Sequence, residues 1–385
     1  MHIAFDGTTL RPGRTGVGYY TEHLLRATAS LCRSDALTVI SNQPIETSVP
    51  LPDHVGRHVS GSRLPRFVWM QMQAPRVVRQ LRADVVHFTN GMMPAAASAP
   101  AVVTIHDMSL SICPRFHPTR RVILNRPFVN LAARRASAII TVSEAAKADI
   151  VRGYGIEASR VHVVHEAAAP EFRVIHDPYE LSRVRKRYGL ADRFILYVGT
   201  IEPRKNLPTL IEAFARRRVA GDLPHQLALV GPYGWLSDDI ESLIDRLNVR
   251  DAVRFTGYVP YEDLAPIYNL AELFVFPSVY EGFGLPVVEA MACGTPVLTG
   301  HVAALSEVAG GAAEEVADLT VDAIGDAIAA LTADRSRREE LSRRGLQRAA
   351  TFSWERAAQQ TLEVYRAAVT RPMSACADTP AALPY

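Results

Sequence analysis

The sequence holds only four cysteines, Cys32, Cys113, Cys293 and Cys376, and they are too scattered to pair or to form a zinc site. That usage fits a reducing compartment, and a cytoplasmic location is expected. There is no run of roughly eighteen apolar residues, so no membrane span is expected. The opening MHIAFDGTTLRPG has neither a basic stretch nor an apolar core of the secretory kind, so no signal peptide is expected. Asp-x-Asp occurs nowhere, nor does the G-x-x-x-x-G-K-S/T phosphate loop or the G-x-S-x-G nucleophile elbow. The dinucleotide pattern G-x-G-x-x-G is also missing, which leaves a nicotinamide oxidoreductase without support. No metal site and no nucleic-acid partner are expected.

What is present is an ordinary globular composition in 385 residues, with 48% hydrophobic and 21% charged, long enough for two domains. The net charge of +2 is unevenly spread. Residues 1–180 carry 20 Lys and Arg against 14 Asp and Glu, or +6, and the remainder carries 22 against 26, or −4. A basic first half hints at a partner bearing phosphate or at an anionic membrane surface.

Short apolar runs alternate with helix-like segments along the whole chain. In the first half the strand candidates are 3–6, 37–40, 85–88, 101–106, 138–142 and 161–165. After a Pro-containing stretch, 167–188, read as a linker, the series resumes at 194–199, 227–231, 253–256 and 272–277. Such alternation predicts an α/β protein with parallel sheets in two tandem Rossmann-like domains. The expected boundaries are 1–175 for the first domain and 176–350 for the second. A C-terminal helix over 351–369, beginning near a Ser353 cap, is expected to pack back on the first domain. A mobile tail is expected over 370–385.

The stretch FPSVYEGFGLPVVEAMACGTPVLT, residues 276–299, stands out. An apolar strand runs into a loop with Gly282 and Gly284, and Pro286 marks a helix start. Gly294 marks its end. Strand-to-helix loops of this kind lie at the carboxyl edge of a sheet, where open α/β folds bind ligands. Glycines admit close backbone approach, and the helix start offers amides to an anion. Glu281 and Glu289 flank this cradle at a Glu-x7-Glu spacing and suit a polyhydroxylated ligand.

A second motif is Gly199-Thr-Ile-Glu202-Pro-Arg204-Lys205-Asn206. It places Arg204 and Lys205 at a helix start capped by Asn206, where cations are unfavourable unless an anion is also present. A planar fork beside a point charge suits a diphosphate. Earlier, His106 closes a strand and Asp107 follows it, placed to orient the ring. Gly13-Arg-Thr-Gly16-Val-Gly18 follows the first strand, as phosphate loops do. Ser143 reads as a helix cap. The segment RRVILNRPFVNLAARR, residues 120–135, is basic and apolar together, with Pro127 interrupting it. It reads either as a core helix with a solvated arginine edge or as a membrane-surface helix.

The run Glu281-Gly-Phe-Gly-Leu-Pro-x-x-Glu289-Ala-Met-Ala-Cys-Gly-x-Pro296 resembles the Glu-x7-Glu motif of the retaining glycosyltransferases of family 4. That resemblance covers residues 3–369 and extends to the TIEPRKNL and GPYGWLSDDI segments. It implies a GT-B fold with a cleft between the domains. It also implies a mannosyltransferase of bacterial O-antigen, capsule or exopolysaccharide synthesis, without a cofactor or metal. GDP-mannose would be the donor, and a saccharide or polyprenyl-diphosphate-linked oligosaccharide the acceptor, with peripheral contact at the inner membrane.

Carried over residue by residue, the resemblance makes His106 and Glu281 catalytic. Donor binding falls to Gly16, Gly18, Arg204, Lys205, Gly282, Phe283, Gly284, Leu285 and Glu289. Glu289 would take the ribose, Arg204 and Lys205 the diphosphate, and Glu281 with the Gly282–Leu285 amides the sugar. Front-face attack is implied, with the departing phosphate oxygen helping to deprotonate the acceptor. The chain departs from the family where relatives carry Val-x-Pro-Asn-Gly and this sequence has Val163-Val-His165-Glu166-Ala167. Rival readings are another donor (UDP-hexose or dTDP-rhamnose), a sugar-nucleotide epimerase of the same fold, or a non-catalytic nucleotide-sugar-binding protein.

Overall fold

The computed structural model describes residues 1–237 and 239–370. Positions 371–385, which hold Cys376 and nearly all of the tail expected to be mobile, lie outside the described residues. The described residues form two compact units: Met1–Ser111 with Arg120–Glu166 and residues 353–370, and Ala167–Phe352 with Ile112–Thr119. The first unit thus closes at Glu166, short of position 175, and the 112–119 segment sorts with the second.

The first unit is built on β1 (His2–Asp6), β2 (Ala36–Ser41), β3 (Val55–Val59), β4 (Val85–Phe88), β5 (Ala101–Thr104), β6 (Ala138–Thr141) and β7 (Val161–Val163). Every pairing is parallel, in the order β3-β2-β1-β4-β5-β6-β7. The register sets Ile3 beside Leu37 on one side and Val85 on the other. The inner strands β4, β5 and β6 are buried throughout, which is why they read as unbroken apolar runs. Strand β3 was absent from the sequence reading because this edge strand, VGRHV, exposes most of its length and carries no apolar run.

Helices α1 (Gly16–Leu31), α2 (Arg66–Met72), α3 (Ala74–Gln80), α4 (Ser109–Ile112), α5 (Thr119–Arg135) and α6 (Glu144–Tyr154) intervene. Ser143 caps α6 by accepting from the Ala146 amide at 3.0 Å. Helix α5 runs straight through Pro127, so that residue does not break it.

The second unit carries β8 (Phe194–Val198), β9 (Gln226–Val230), β10 (Val253–Gly257), β11 (Leu273–Phe276), β12 (Val297–Gly300) and β13 (Glu314–Val316). They form a parallel sheet in the order β10-β9-β8-β11-β12-β13. Its helices are α7 (Pro178–Tyr188), α8 (Leu207–Val219), α9 (Asp239–Arg246), α10 (Tyr261–Leu270), α11 (Leu285–Ala292), α12 (Ala303–Ala309), α13 (Val321–Ala333) and α14 (Arg335–Ala349).

The stretch read as a linker is corrected here, because its second half is helix α7. Asp177 caps that helix and Gly189 ends it in the left-handed region at φ 65°. Its charges hid it. Arg183 and Arg187 pair with the buried Asp263 of α10 at 2.8 and 2.9 Å.

Helix α15 (Trp354–Thr370) belongs to the first unit and packs on α1. Ser353 accepts from the Arg356 amide at 3.1 Å and starts it. The Tyr365 hydroxyl lies 2.6 Å from His87 Nδ1, with both side chains buried.

Candidate functional site

In the second unit the segments after β8 and β11 meet at the carboxyl edge of the sheet, where those strands are neighbours. The Val279 amide donates to the Arg204 carbonyl at 3.0 Å and zips the two together. A single 3-10 turn, Pro203–Lys205, carries the two cations, and α8 begins directly after it. Asn206 holds the cap position of α8 but its side chain does not cap. It sits in the left-handed region at φ 58° and its Oδ1 accepts from the Thr209 hydroxyl at 2.7 Å.

The loop from β11 to α11 brings Glu281 against both cations. Lys205 Nζ lies 2.5 Å from Glu281 Oε1, and Arg204 Nη1 lies 2.8 Å from Oε2. The Ser278 hydroxyl donates to Oε1 at 2.6 Å. Arg204 also donates to the Tyr280 carbonyl at 2.7 Å, and its Nη2 donates to Glu202 Oε1 at 2.8 Å. The Lys205 ammonium stands 4.9 Å from the centre of the Phe276 ring. Glu281, Lys205 and Glu202 are 9%, 9% and 5% exposed.

Burial alone would raise the Glu281 carboxyl, but Arg204 and Lys205 outweigh it and hold it below its ordinary value. Burial, helped by Arg204, pushes the Lys205 ammonium down. The sequence reading gave the cations to a diphosphate and Glu281 to a sugar. In this structure they neutralise each other, so a ligand anion would have to share or displace Glu281.

Gly284 takes φ 102° at the cap of α11, and a Cβ there would stand 2.5 Å from Leu305 Cδ2. Only glycine fits both demands. Glu289 lies on α11, 5% exposed, and its Oε2 accepts from the Tyr268 hydroxyl at 3.0 Å. Gly282, Phe283 and Leu285 line the same loop and helix start, and Phe283 packs edge-on to Phe352 at 5.7 Å.

The remaining site candidates belong to the first unit. Gly16 and Gly18 form the first turn of α1 rather than a loop before it. At Gly18 a Cβ would stand 2.5 Å from Arg14 Cβ and 3.1 Å from the Thr9 carbonyl, so packing accounts for that glycine.

His106 follows β5. Its Nε2 lies 3.0 Å from the Thr89 carbonyl, and its Nδ1 lies 3.3 Å from Glu166 Oε1. The Tyr20 ring meets it edge-on at 4.6 Å. The ring is therefore oriented by Glu166 and Thr89, while Asp107 accepts from the Ser109 amide at 2.8 Å. Burial disfavours the imidazolium, but the Glu166 hydrogen bond and charge reverse this and raise its pKa overall.

Sequence reasoning passed over Glu202, Ser278, Tyr268 and Glu166. Glu202 and Ser278 stood inside the quoted motifs and could have been read as counter-charge and hydroxyl partner. Tyr268 had no signal, because only the packing of α10 on α11 brings it to Glu289.

Among the described residues no group of three or more His, Cys, Asp or Glu side chains is placed to hold a metal ion. No helix there is long and apolar enough to cross a membrane.

Residues 14–172 match the Glycosyltransferase Family 4 domain and residues 181–348 the glycosyl transferases group 1 domain. The chain is 32% identical to the O-antigen chain mannosyltransferase B of Escherichia coli over 381 residues, covering 95% of this chain and all of that one. It is 31% identical to the MMP alpha-(1->4)-mannosyltransferase of Mycolicibacterium hassiacum, covering 86% of this chain and 82% of that one. In three dimensions it superposes on sucrose-phosphate synthase of Thermosynechococcus elongatus with a TM-score of 0.74. Identity there is 22%, covering 95% of this chain and 98% of that one, and the likeness carries the fold.

Proposed function

The chain belongs to glycosyltransferase family 4 and has the GT-B fold, and on that footing we propose that it transfers mannose from GDP-mannose to a saccharide acceptor of a bacterial surface polysaccharide, with retention at the anomeric carbon. The choice of mannose rests on the two mannosyltransferase relatives, matched over all and 82% of their lengths. The site assignment rests on one observation: Glu281 is buried, held ionised by Arg204 and Lys205, and mounted on a glycine loop at the carboxyl edge of a parallel sheet.

Donor entry exchanges partners within this cluster. The diphosphate takes donors from Arg204 and Lys205, and Glu281 turns to the sugar hydroxyls. Glu289, held by Tyr268, accepts from the ribose. The loop and first-turn amides from Gly282 to Leu285 complete the cradle. Two fixed cations of this kind stabilise charge on a departing diphosphate, a task a divalent metal performs in other enzymes. No metal is required in this reading.

In this reading the acceptor binds the first unit, whose candidate residues are His106, Gly16 and Gly18. A polyprenyl-diphosphate-linked acceptor accords with helix α5, where Ile123 and Leu124 are 67% and 54% exposed beside Arg120, Arg121 and Arg126. That face lies peripherally on the cytoplasmic side of the inner membrane in this reading.

The experiment is a panel of GDP-, UDP- and dTDP-sugars assayed for slow donor hydrolysis and thermal stabilisation. GDP-mannose is expected to give the largest response. A response to UDP-sugars alone would overturn the donor assignment.

A further inference from the structure

His106 has a partner at each ring nitrogen. A backbone carbonyl can only accept, so Nε2 of His106 carries a proton toward the Thr89 oxygen at 3.0 Å. Nδ1 faces Glu166 Oε1 at 3.3 Å, and an ionised carboxylate there only accepts. With a proton on each nitrogen the ring is an imidazolium whose two N–H groups are both partnered, and the upward shift of His106 favours that form. Glu166 is 7% exposed and lies just past β7, at the same sheet edge as His106. The groups packed around the ring agree with a cation there. Tyr20 of α1 contributes a neutral ring edge, and Asp107 on the same loop adds a second negative charge. His87 of β4 is driven down to about 3 by its burial and by the charge on His106.

We propose that Glu166 is a positioning residue which keeps His106 as a fixed imidazolium, so that the histidine offers a charge and not a base. This rests on the reading above, in which His106 is a functional residue of the first unit. The departure from the family's Val-x-Pro-Asn-Gly pattern gains a meaning, because Glu166 stands where that pattern has an asparagine. An amide there brings no charge to the ring, whereas a buried carboxylate does. With both lone pairs committed, the ring cannot abstract a proton from an acceptor hydroxyl. It can stabilise negative charge on a ligand held against the first unit.

The test is an NMR titration of the histidine rings in the full-length protein, with the His106 signal identified by its loss in His106→Asn. It is paired with kcat/KM against pH for the wild type, Glu166→Gln and Glu166→Asp. His106 is expected to titrate above ordinary histidines in the wild type and lower in Glu166→Gln. The alkaline limb of kcat/KM should move to lower pH by the same amount, leaving the variant about tenfold slower at pH 8 and near wild type at pH 6. Glu166→Asp should restore part of the shift. An unmoved His106 titration in Glu166→Gln, or a lowered Tm with an unmoved alkaline limb, would assign Glu166 a structural role only and end the proposal. Should Glu166→Gln not fold, a wild-type His106 titrating below ordinary histidines overturns it. If no nucleotide sugar is turned over, the donor reading fails, and the ring titration still decides this one.

Discussion

The Lys205 ammonium and the Glu281 carboxylate meet at 2.5 Å, and both side chains are buried. The pair joins the two loops of the proposed donor site, so its loss is expected to act on stability and chemistry together. Removing one partner of a buried pair strands the other, which typically costs about 3–5 kcal/mol. Arg204 and Ser278 remain with Glu281, so Lys205→Met should sit near or below the lower bound. Glu281→Gln should destabilise comparably, and the double variant should lose less than the sum, with a coupling of about 1–3 kcal/mol. Denaturant unfolding of the four proteins supplies the cycle. Additive losses would mean that the contact carries no coupling.

The same variants should retain the fold at 25 °C and lose transfer. Each is expected to fall at least a hundredfold in kcat, about 2.7 kcal/mol, through loss of charge stabilisation at the diphosphate or sugar. Near-wild-type turnover in both would remove this cluster from the donor site.

Tyr268 tests the ribose assignment. Tyr268→Phe keeps the buried ring and deletes only the hydroxyl that donates to Glu289 at 3.0 Å. A hydrogen bond to a charged group contributes about 1.5–3 kcal/mol. Donor KM should rise about tenfold, with kcat nearly unchanged and the far-UV spectrum intact. A kcat loss with unchanged KM would place Glu289 at the reacting sugar instead.

Two buried histidines set an acid limit on the first unit. Burial, with the charge on His106, lowers His87 to about 3, and burial, with Arg26 and Arg14 nearby, lowers His23 to about 4. Both are neutral when folded but take a proton near pH 6.5 when unfolded. Their stability contribution is therefore complete above pH 6.5 and is lost as pH falls toward 4 and then 3. His106 has the opposite sign: its raised value contributes below pH 6.5, and that contribution fades as pH rises through its folded value. His87 contacts Tyr365 and His23 stacks on Trp354, so α15 should register the acid effect first. Hydrogen-exchange protection factors of α15 should drop between pH 7 and pH 5. Unchanged protection there would contradict the account.

Helix α5 is tested by vesicle co-sedimentation. The protein should bind vesicles containing anionic lipid and not zwitterionic ones, with binding falling as salt rises. The paired change Ile123→Ser and Leu124→Ser should weaken binding several-fold. Equal binding to both vesicle types would remove the membrane role.

The parallel sheets were legible because their inner strands are buried on both faces and read as plain apolar runs, such as LFVF in β11 and AVVT in β5. Edge strand β3 and helix α7 were not, since one is mostly exposed and the other carries charges that only Asp263 explains. In the candidate site, Glu281 and the glycines were visible through local spacing. The Glu281–Lys205 contact spans 76 positions and the His106–Glu166 contact 60, and no local pattern encodes either. For the same reason the cations looked free in the sequence, while in the fold they are paired.

The most direct measurement is a proton NMR time course of GDP-mannose with the purified enzyme and a mannose-terminated oligosaccharide acceptor. The account predicts loss of the donor's anomeric signal and growth of an α-mannosidic signal, with neither change in Glu281→Gln. A β-configured product, or α-mannoside formation undiminished in Glu281→Gln, would contradict it.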